Sequence, residues 1–478
     1  MKRISVPILI VFVLLTSSYG GNSNSSVYVI HGIPGGDLGL DAALPVDVAV
    51  QGGCILEGFT YGQAAGPIEL PEGTYNIKIS LADPCNPCSS TPVIEADVPF
   101  SAGETAVVIA HLAEDATPTA SKFIVSTNCG YSRKFFNHGD DDDDDNGNNN
   151  AYGAYKYCNG TKMVLHHTAA AGAVDIELQR ALGWWVGSRN INNITNGEQA
   201  EVKVFPGNWA ISLFPAGSND VVLGPIELRT EFCSSYFVFA VGSVDSGSLT
   251  LLVYKLNCRN GSELEMVGAV VYVVHGIPGE DLGLDPDLPV DISLNGQCAL
   301  PGFTFGEITD GLPLIPGVYN VKIGLANPAN PCSEPAVIEA DVALFAGENV
   351  TMIAHLTAEG DPTASVFSNK VGKGCFLFKS PLVVHHTAAA PTVDIEARRH
   401  RKVLKLENVS NGDQGILNTR PGPWKVSIAP AGLEDPVFGP LNLRLRNRKV
   451  YFLYAVGSLD NETFTVLQNV IPLKNLTD

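Results

Sequence analysis

The feature that most constrains the fold of this 478-residue chain is an internal repeat. The stretch VYVIHGIPGGDLGLD recurs later as VYVVHGIPGEDLGLD, and aligning Val27–Gly62 with Val271–Gly306 gives 24 identities in 36 positions without a gap. A later motif, PVIEADV…AGE…IAHL, returns at the same offset and places His111 opposite His355. Repeats of this kind indicate a structural unit that has been copied within the chain.

A second, more divergent repeat lies between and after the first. It reads MVLHHTAAAGAVDIEL from Met163 and LVVHHTAAAPTVDIEA from Leu382. Both kinds share a Pro-Gly or Pro-x-Gly turn, then an aromatic residue and alternating apolar residues, which begin at Pro71, Pro206, Pro316 and Pro421. We therefore predict four related domains of about 100 residues each, in an A-B-A-B arrangement.

The predicted boundaries follow from the repeats and from two changes in composition. They are 1–20 signal peptide, 21–129 domain A1, 130–156 acidic Asp/Asn-rich linker, 157–258 domain B1, 259–268 connector, 269–376 domain A2 and 377–478 domain B2.

Each copy has the pattern of strands rather than helices. An apolar β-branched run leads to a histidine, a turn follows, and Val-Asp-Ile or Val-Asp-Val then alternates into the Pro-Gly turn. The chain is 45% hydrophobic and 17% charged, and it contains 48 Gly and 31 Pro. Period-2 alternation with this turn chemistry predicts an all-β protein of antiparallel β-sandwiches.

The N-terminus is typical of a secretory signal peptide. Lys2 and Arg3 precede an apolar run, Val6–Leu15, and the small residues Ser18 and Gly20 offer a cleavage site. No later stretch has the apolar length of a transmembrane helix, so we expect a secreted, extracellular or surface-associated protein. Eight Asn-x-Ser/Thr sequons agree with a glycosylated surface: Asn24, Asn159, Asn193, Asn260, Asn349, Asn408, Asn461 and Asn475.

An oxidising compartment makes the ten cysteines candidates for disulfide bonds. Their positions in the repeats suggest the pairs Cys54–Cys88, Cys298–Cys332 and Cys233–Cys258, and Cys129–Cys158 would bracket the acidic linker. Cys85 and Cys375 stay unassigned. Seven cysteines lie in the first A-B half and three in the second, so complete oxidation requires a bond between halves or between molecules.

The motifs VYVIHGIPG, LPVDVAV, GFTYG, IELPEGTYNIKI and AGETAVVIAHL resemble the family called domain of unknown function 4397. This family occurs as tandem repeats in secreted and cell-surface proteins. The resemblance is strong for both A domains and fainter for both B domains. It implies Ig-like or transthyretin-like sandwiches and no established chemistry. The family His and Asp map onto His31/Asp47, His166/Asp175, His275/Asp291 and His385/Asp394.

These His-Asp pairs have a chemical and a structural interpretation. A histidine beside a carboxylate could act as a general base or a metal ligand. Alternatively, the histidine caps a strand end and bonds a carboxylate or a backbone group. We favour the structural role, because no nucleophile motif accompanies the pairs and enzymes rarely need four copies of one active site. The expectation is a protein without enzymatic activity, and an unusual hydrolase is the least favoured alternative.

The Gly-rich A-domain loops bring several carboxylates close in sequence. Asp37 and Asp41 in A1, like Asp281 and Asp285 in A2, could bind calcium, the one cofactor that the sequence suggests. Aspartates in such loops also form turns through local hydrogen bonds. The run Asp140–Asp145 indicates an extended, self-repelling linker that could bind divalent ions weakly.

Domain B1 also contains the adjacent aromatics Trp184 and Trp185, which B2 lacks. One of two neighbouring strand residues faces away from the core, so this pair could form a stacking platform for a sugar. A covered edge or a domain contact is the other interpretation.

Charge is distributed unevenly along the chain. Residues 21–156 carry a net charge of −13 and residues 380–478 a net charge of +3, with ARRHRK and RLRNRK in the last domain. This polarity favours head-to-tail self-association, although the cations could simply decorate exposed strands. The net charge of −20 and the predicted export disfavour nucleic acid as a partner.

Two functions fit these observations. The first is a structural element of the cell surface or extracellular matrix that assembles into filaments or a lattice. The second is an adhesin that binds glycans or other surface proteins, with or without calcium.

Overall fold

The computed structural model describes residues 24–125, 131–132, 157–158, 161–182, 185–257, 263–371, 379–473 and 476. The predicted signal peptide and almost all of the predicted linker lie outside these residues. Four β-sandwiches follow one another in this part of the chain, which confirms the predicted all-β fold. No helix among the described residues is long and apolar enough to span a bilayer.

Domain A1 is a sandwich of two four-stranded sheets, in the orders β4-β1-β7-β8 and β3-β2-β5-β6. A short 3-10 helix, Gly35–Leu38, follows the first strand. The strands are β1 Ser25–His31, β2 Val46–Val50, β3 Gly53–Phe59, β4 Ala64–Leu70, β5 Gly73–Leu81, β6 Pro92–Phe100, β7 Thr105–Leu112 and β8 Pro118–Ile124.

Domain B1 follows a two-stranded ribbon, and its sheets have the orders β14-β11-β17-β18-β19 and β13-β12-β15-β16. The ribbon strands are β9 Tyr131–Ser132 and β10 Tyr157–Cys158. The domain strands are β11 Thr161–His167, β12 Val174–Leu182, β13 Trp185–Ile194, β14 Gln199–Val204, β15 Gly207–Pro215, β16 Leu223–Thr230, β17 Ser234–Val241, β18 Thr250–Asn257 and β19 Leu264–Met266.

Domain A2 repeats the A1 arrangement, with sheets in the orders β23-β20-β26-β27 and β22-β21-β24-β25 and the 3-10 helix Gly279–Leu282. Its strands are β20 Ala269–His275, β21 Val290–Leu294, β22 Gln297–Phe303, β23 Leu312–Leu314, β24 Gly317–Leu325, β25 Ala336–Leu344, β26 Asn349–Leu356 and β27 Pro362–Ser368.

Domain B2 has sheets in the orders β31-β28-β34-β35 and β30-β29-β32-β33. Its strands are β28 Leu382–His386, β29 Val393–Arg399, β30 Lys402–Val409, β31 Asp413–Leu417, β32 Gly422–Pro430, β33 Phe438–Leu445, β34 Lys449–Val456 and β35 Thr465–Pro472.

One strand pair in every domain departs from the predicted antiparallel pattern. The first strand pairs in parallel with the seventh, as β1 with β7, β11 with β17, β20 with β26 and β28 with β34. Parallel neighbours need a long crossover connection, and here the strands of the second sheet supply it. Local alternation does not reveal such a pairing, because it depends on which distant strand closes the sheet.

The sandwiches are packed in A-B pairs. The β4-β1-β7-β8 sheet of A1 faces the β14-β11-β17-β18-β19 sheet of B1, and one apolar cluster joins Ile30 and Ile109 to Phe237 and Tyr254. A2 and B2 share a matching cluster that includes Val274 and Phe452. We call the sheet that faces the companion domain the inner sheet, and the other sheet of each domain the outer sheet. Each pair is therefore a stack of four sheets with three apolar layers.

This stacking explains the composition of the inner strands. β11 and β17 are buried at every position, whereas β16 on the outer sheet alternates buried and exposed residues. A strand covered on both faces needs apolar residues on both, so SSYFVFAV is continuously apolar or small.

Candidate functional site

The predicted His-Asp pairs were the first candidate site. In A1, the His31 Nε2 lies 2.8 Å from the Leu44 carbonyl oxygen, and its Nδ1 accepts a hydrogen bond from the Ile33 N–H. In A2, His275 makes the same contacts with Leu288 and Ile277. Each histidine therefore ties its first strand to the loop before the second strand. Burial lowers the pKa of His31 to about 4, so the imidazole is neutral at neutral pH.

In the B domains, the strand register shows that the equivalent of His31 is the second histidine of the His-His dipeptide and not the predicted first one. His31 pairs with Ala110 of the parallel strand, and the residue in the matching position of B1 is His167, which pairs with Ala240. His167 Nε2 lies 2.9 Å from the Gly172 carbonyl oxygen, as expected for the loop-anchoring histidine. His386 does the same in B2, with the Pro391 carbonyl oxygen. The His-His dipeptide hid this offset, because either residue satisfies the sequence motif.

The two predicted residues, His166 and His385, instead face the companion A domain. The His166 ring lies 4.5 Å from the Phe123 ring of A1 and stacks on Phe239 at 4.1 Å between ring centroids. His385 contacts Phe367 of A2 at 4.7 Å. Burial lowers the pKa of His166 to about 3 and that of His385 to about 4. These neutral rings are part of the apolar layer between the two domains.

The aspartates of the pairs bond to backbone N–H groups and not to the histidines. Asp47 accepts hydrogen bonds from Gly58, Asp83 and Cys88, and Asp291 accepts them from the matching residues of A2. Burial alone would raise the pKa of Asp291, but its three N–H donors outweigh burial and the pKa is lowered.

In the B domains the matching aspartates each accept two such bonds. Asp175 binds the N–H groups of Asn193 and Gly217, and Asp394 binds those of Asn408 and Gly432. These backbone bonds lower the pKa of both carboxyl groups. The residue that donates to Oδ1 has a left-handed backbone in every domain: Gly58 φ 58°, Asn193 φ 57°, Gly302 φ 63° and Asn408 φ 57°. Histidine and aspartate thus stabilise separate parts of each sandwich.

The A-domain aspartates proposed for calcium have hydrogen-bond partners of two kinds. Asp37 crosses to B1, where Ser246 and Ser248 donate to its two carboxylate oxygens at 2.6 and 2.7 Å. In the second half, Thr463 and Asn461 of B2 donate to Asp281 at 2.8 and 2.9 Å. These bonds join the A and B domains.

Asp41 and Asp285 instead form local turns by accepting the N–H two residues ahead. Across the described ranges, no group of three His, Cys, Asp or Glu side chains is arranged to hold a metal ion.

Further hydrogen bonds across the A-B contact are also present in both halves. Asn196 of B1 donates to the Leu112 carbonyl oxygen of A1 at 3.0 Å, and Asn411 of B2 donates to Leu356 of A2 at 3.0 Å. Gln199 and Gln414 donate to the ends of β8 and β27 in the same way. The contact between the domains was therefore duplicated together with the domains.

The structure contains disulfide bonds between Cys54 and Cys88 and between Cys298 and Cys332. Cys233 is also disulfide-bonded, whereas Cys85 is free and exposed. Cys258, Cys129 and Cys375 lie outside the described residues, as does the side chain of Cys158.

The sequons occupy different environments. Asn24, Asn193, Asn408 and Asn461 are exposed, whereas Asn349 is half-buried and accepts a hydrogen bond from Asn369. Asn159, Asn260 and Asn475 lie outside the described residues, as do Trp184 and the side chain of Trp185. Asn193 and Asn408 stand where the A domains have glycine, and Asn tolerates the left-handed backbone better than most residues.

The outer sheet of B2 has a basic face that sequence motifs alone did not locate. Its exposed cations are Arg398 on β29, Lys405 on β30, Lys425 on β32 and Arg444 on β33. Arg398 is the cross-strand neighbour of Lys425, and the acid Glu396 lies 2.6 Å from Arg398 and 3.8 Å from Lys405. Exposed Arg401, Lys402, Arg446 and Arg448 extend the positive surface at the strand ends. We call Arg398, Lys405, Lys425 and Arg444 the basic face.

Three of the four matched positions of B1 carry no positive charge. The strand registers place Gln179 opposite Ala210, where B2 has Arg398 opposite Lys425. Asn190 and Arg229 occupy the positions of Lys405 and Arg444. Three of the four cations of the basic face are therefore present in B2 and absent from its copy B1.

A family model described as "Domain of unknown function (DUF4397)" matches residues 25–127 and 269–374. A search of curated proteins finds no match.

Three solved structures resemble parts of the chain. The Bacillus anthracis TIE protein is 10% identical with a TM-score of 0.16, and the match covers 86% of this chain and 64% of that one. A putative cell adhesion protein from Bacteroides ovatus is 7% identical with a TM-score of 0.13, covering 43% and 97% of the two chains. The pilus adhesin SpaC from Lactobacillus rhamnosus GG is 8% identical with a TM-score of 0.11, covering 82% and 48%. At these scores none of the three specifies a function for this chain.

Proposed function

Residues 25–127 and 269–374 of this chain are two DUF4397 domains, and from the way each is paired with a second sandwich we propose an extracellular structural protein. In this proposal, the chain is a non-enzymatic component of the cell surface or matrix that assembles head to tail into filaments or a lattice. Two four-sheet units with a duplicated interface suit a load-bearing rod, because an A domain cannot separate from its B domain without exposing an apolar layer.

The basic face of B2 is the observation that supports assembly. It lies on the outermost sheet of the last A-B pair, and the matched face of B1 has only one of its four cations. Residues 21–156, which include Asp140–Asp145, supply the opposite charge with a net of −13. A contact between two different surfaces of identical molecules does not close on itself, so it extends into a chain of molecules.

Charge-dependent assembly makes a specific prediction about salt. Exposed charges are screened within about 8 Å at physiological ionic strength. Sedimentation velocity and negative-stain microscopy should therefore show end-to-end oligomers at low salt that dissociate as salt is raised. The double variant Arg398→Glu/Lys425→Glu and a variant with Asp140–Asp145 changed to Asn should each weaken assembly.

The copied domain provides the matched control. Gln179→Glu/Ala210→Glu places the same charges at the equivalent positions of B1 and should leave assembly unchanged. Dispersed monomers at every salt and calcium concentration would refute assembly, and so would undiminished assembly of the Arg398→Glu/Lys425→Glu variant.

The basic face also supports the alternative of an adhesin that binds an acidic glycan or an acidic surface protein. Clustered cations bind polyanions through many weak, salt-sensitive contacts. A glycan array with and without EDTA separates the two functions. Binding of acidic glycans that is lost in Arg398→Glu/Lys425→Glu, by a protein that stays monomeric, would favour the adhesin, and loss with EDTA would show that calcium takes part.

The absence of enzymatic activity is part of the proposal. Its support is that the loop-anchoring histidines, His31, His167, His275 and His386, and the aspartates of the pairs are bonded to separate backbone groups. A hydrolase screen that finds an activity abolished by His31→Ala or His275→Ala would contradict it.

A further inference from the structure

Domain A2 contains an apolar cavity of about 230 Å³ between its two sheets. Both sheets contribute to its wall, including Val273 and Met352 from the inner sheet and Ile292 and Ile323 from the outer sheet. An engineered cavity of about 150 Å³ with apolar walls stays free of water and binds benzene or xenon. The A2 cavity is therefore large enough for a small apolar molecule.

Three residues of the cavity wall have polar side chains, His275, Ser365 and Asp341, and each side chain already has a partner. Strand alternation places the side chains of Ser365 and Asp341 on the faces of β27 and β25 opposite to Val366 and Ala340, so they point away from the cavity. His275 bonds to Leu288 and Ile277, and Ser365 bonds to His355 at 2.8 Å. Asp341 accepts a hydrogen bond from Asn320 at 2.9 Å. The wall therefore offers a ligand apolar contacts and no spare side-chain hydrogen-bond donor, which disfavours a polar ligand such as a sugar.

The cavity reaches the surface at the edge of the sandwich between β25 and β27. Ala340 of β25 and Ala364 and Val366 of β27 belong to the wall and are exposed, and Val366 is 43% exposed. An exposed valine and two exposed alanines leave an apolar mouth, through which a molecule can enter without crossing a polar layer.

The copied domain A1 covers the same edge with a lysine. Lys122 occupies the position of Val366, and its Nζ lies 4.9 Å from the centre of the Phe100 ring. The Lys122 Nζ also bonds to Glu104 and to the Pro99 carbonyl oxygen, each at 2.5 Å. In A2 the Phe100 position is Leu344, so both parts of this cover are replaced by smaller apolar residues. The exposed mouth of A2 is thus a specific difference between the two copies.

We propose that A2 binds the aliphatic chain of a lipid-like molecule with an uncharged head group, inserted through the mouth formed by Ala340, Ala364 and Val366. The cavity wall runs from β22 and β23 at one edge of the sandwich to β25 and β27 at the other, which suits an extended chain. Asp341 follows Ala340 on β25, and although its exposed side chain is on the outer face of the sheet, it places a negative charge near the mouth, so a neutral alcohol or ester fits better than a fatty acid anion.

The test uses the full chain and the neutral fluorophore N-phenyl-1-naphthylamine as a probe, displaced by 1-decanol. Wild type should bind the probe, and 1-decanol should displace it better than decanoate does. Leu344→Phe/Val366→Lys, which rebuilds the A1 cover, should weaken probe binding at least about tenfold. Ala340→Trp obstructs the mouth from an exposed position and should do the same, which provides a second blocked variant if the first does not fold.

Val318→Lys is the matched control, because Val318 is 41% exposed and does not line the cavity. It should bind the probe as wild type does. The proposal is overturned if 1-decanol displaces no probe from the folded wild type, or if a folded blocked variant binds as tightly as wild type. Stronger competition by decanoate than by 1-decanol would overturn the assignment of an uncharged head group.

Discussion

At the scale of single residues, one aspartate in each domain has a clear structural role. Its carboxylate holds a left-handed residue, Gly58, Asn193, Gly302 or Asn408, at an irregularity in the outer sheet. In the A domains the second carboxylate oxygen also holds the turn that ends at the disulfide cysteine. In the A domains these bonds are partly buried, and a buried N–H group without an acceptor is costly, which explains the acid at this position. In the B domains the same bonds are exposed, so the acid there stabilises the left-handed turn and costs less to remove.

Removal of this acceptor should destabilise A2. Asp291→Ala leaves the N–H groups of Gly302, Asn327 and Cys332 without their acceptor, and we expect a loss of about 3 kcal/mol in the free energy of unfolding. Asp291→Asn keeps an acceptor oxygen and should lose less. Urea unfolding measures both variants. A loss below about 1 kcal/mol for Asp291→Ala would contradict the role.

The buried histidines should make stability depend on pH. Burial holds the pKa of His166 at about 3, whereas the unfolded chain has a value near 6.5, so acid protonates the unfolded state first. The contribution of His166 to the free energy of unfolding is fully present above pH 6.5 and is lost as the pH falls toward 3.

Between pH 7 and pH 5, His166 alone should account for a loss of about 2 kcal/mol. His166→Phe keeps a ring in the A-B layer and removes the titrating group. Its free energy of unfolding should therefore fall about 2 kcal/mol less over this range than that of wild type. Equal losses in wild type and variant would show that His166 is not the titrating group.

At the scale of structural elements, the repeat made much of each domain predictable. The offset of 244 residues placed Cys54 and Cys88 opposite Cys298 and Cys332, and the strand pattern predicted sandwiches without an assignment of individual pairs. The parallel first strand could not be predicted, because period-2 alternation is the same for either direction of pairing. The wrong histidine of the His-His dipeptide has a similar cause, since only the register of β11 with β17 distinguishes His166 from His167.

A disulfide bond in A2 joins β22 to the loop before β25. Cys298 and Cys332 are 34 residues apart, so their disulfide bond restricts a loop of that length in the unfolded chain. Replacement of both cysteines by serine should lower the free energy of unfolding of A2 by about 3 to 4 kcal/mol, because the unfolded chain gains the entropy of the open loop. Denaturant unfolding measures the loss. Cys85→Ser, at the free and exposed cysteine, is the control and should change stability by less than about 0.5 kcal/mol. Equal stability of both variants would refute a stabilising role for the disulfide.

At the scale of the whole molecule, the A-B pair is the structural unit. The sequence predicted separate sandwiches and did not predict their pairing, although inner strands such as TAVVIAHL and SSYFVFAV have the continuous apolar runs of strands covered on both faces. It did not indicate which surface provides the cover, because the partner strands are far apart in the chain. The hydrogen bonds from Ser246 and Ser248 to Asp37 could not be predicted either, since an aspartate in a Gly-rich loop is equally compatible with a turn or a calcium ion.

If A1 and B1 unfold as one unit, a substitution on the A1 side of the apolar layer between them must also destabilise B1. Phe123 is an A1 residue, 4% exposed, whose ring contacts His166 of B1. Phe123→Ala should remove about 3 to 5 kcal/mol from the stability of the pair, because it leaves a cavity in an apolar layer.

Tryptophan fluorescence can report this loss from the other domain. Trp209 lies in the B1 core, and A1 contains no tryptophan. In a background with Trp184, Trp185 and Trp424 changed to Phe, Phe123→Ala should lower the denaturation midpoint that Trp209 reports. Ile124→Ala, at a neighbouring residue that is 62% exposed, should leave that midpoint unchanged. An unchanged midpoint in Phe123→Ala would mean that B1 unfolds independently of A1, and the rod of rigid A-B units would then lose its physical basis.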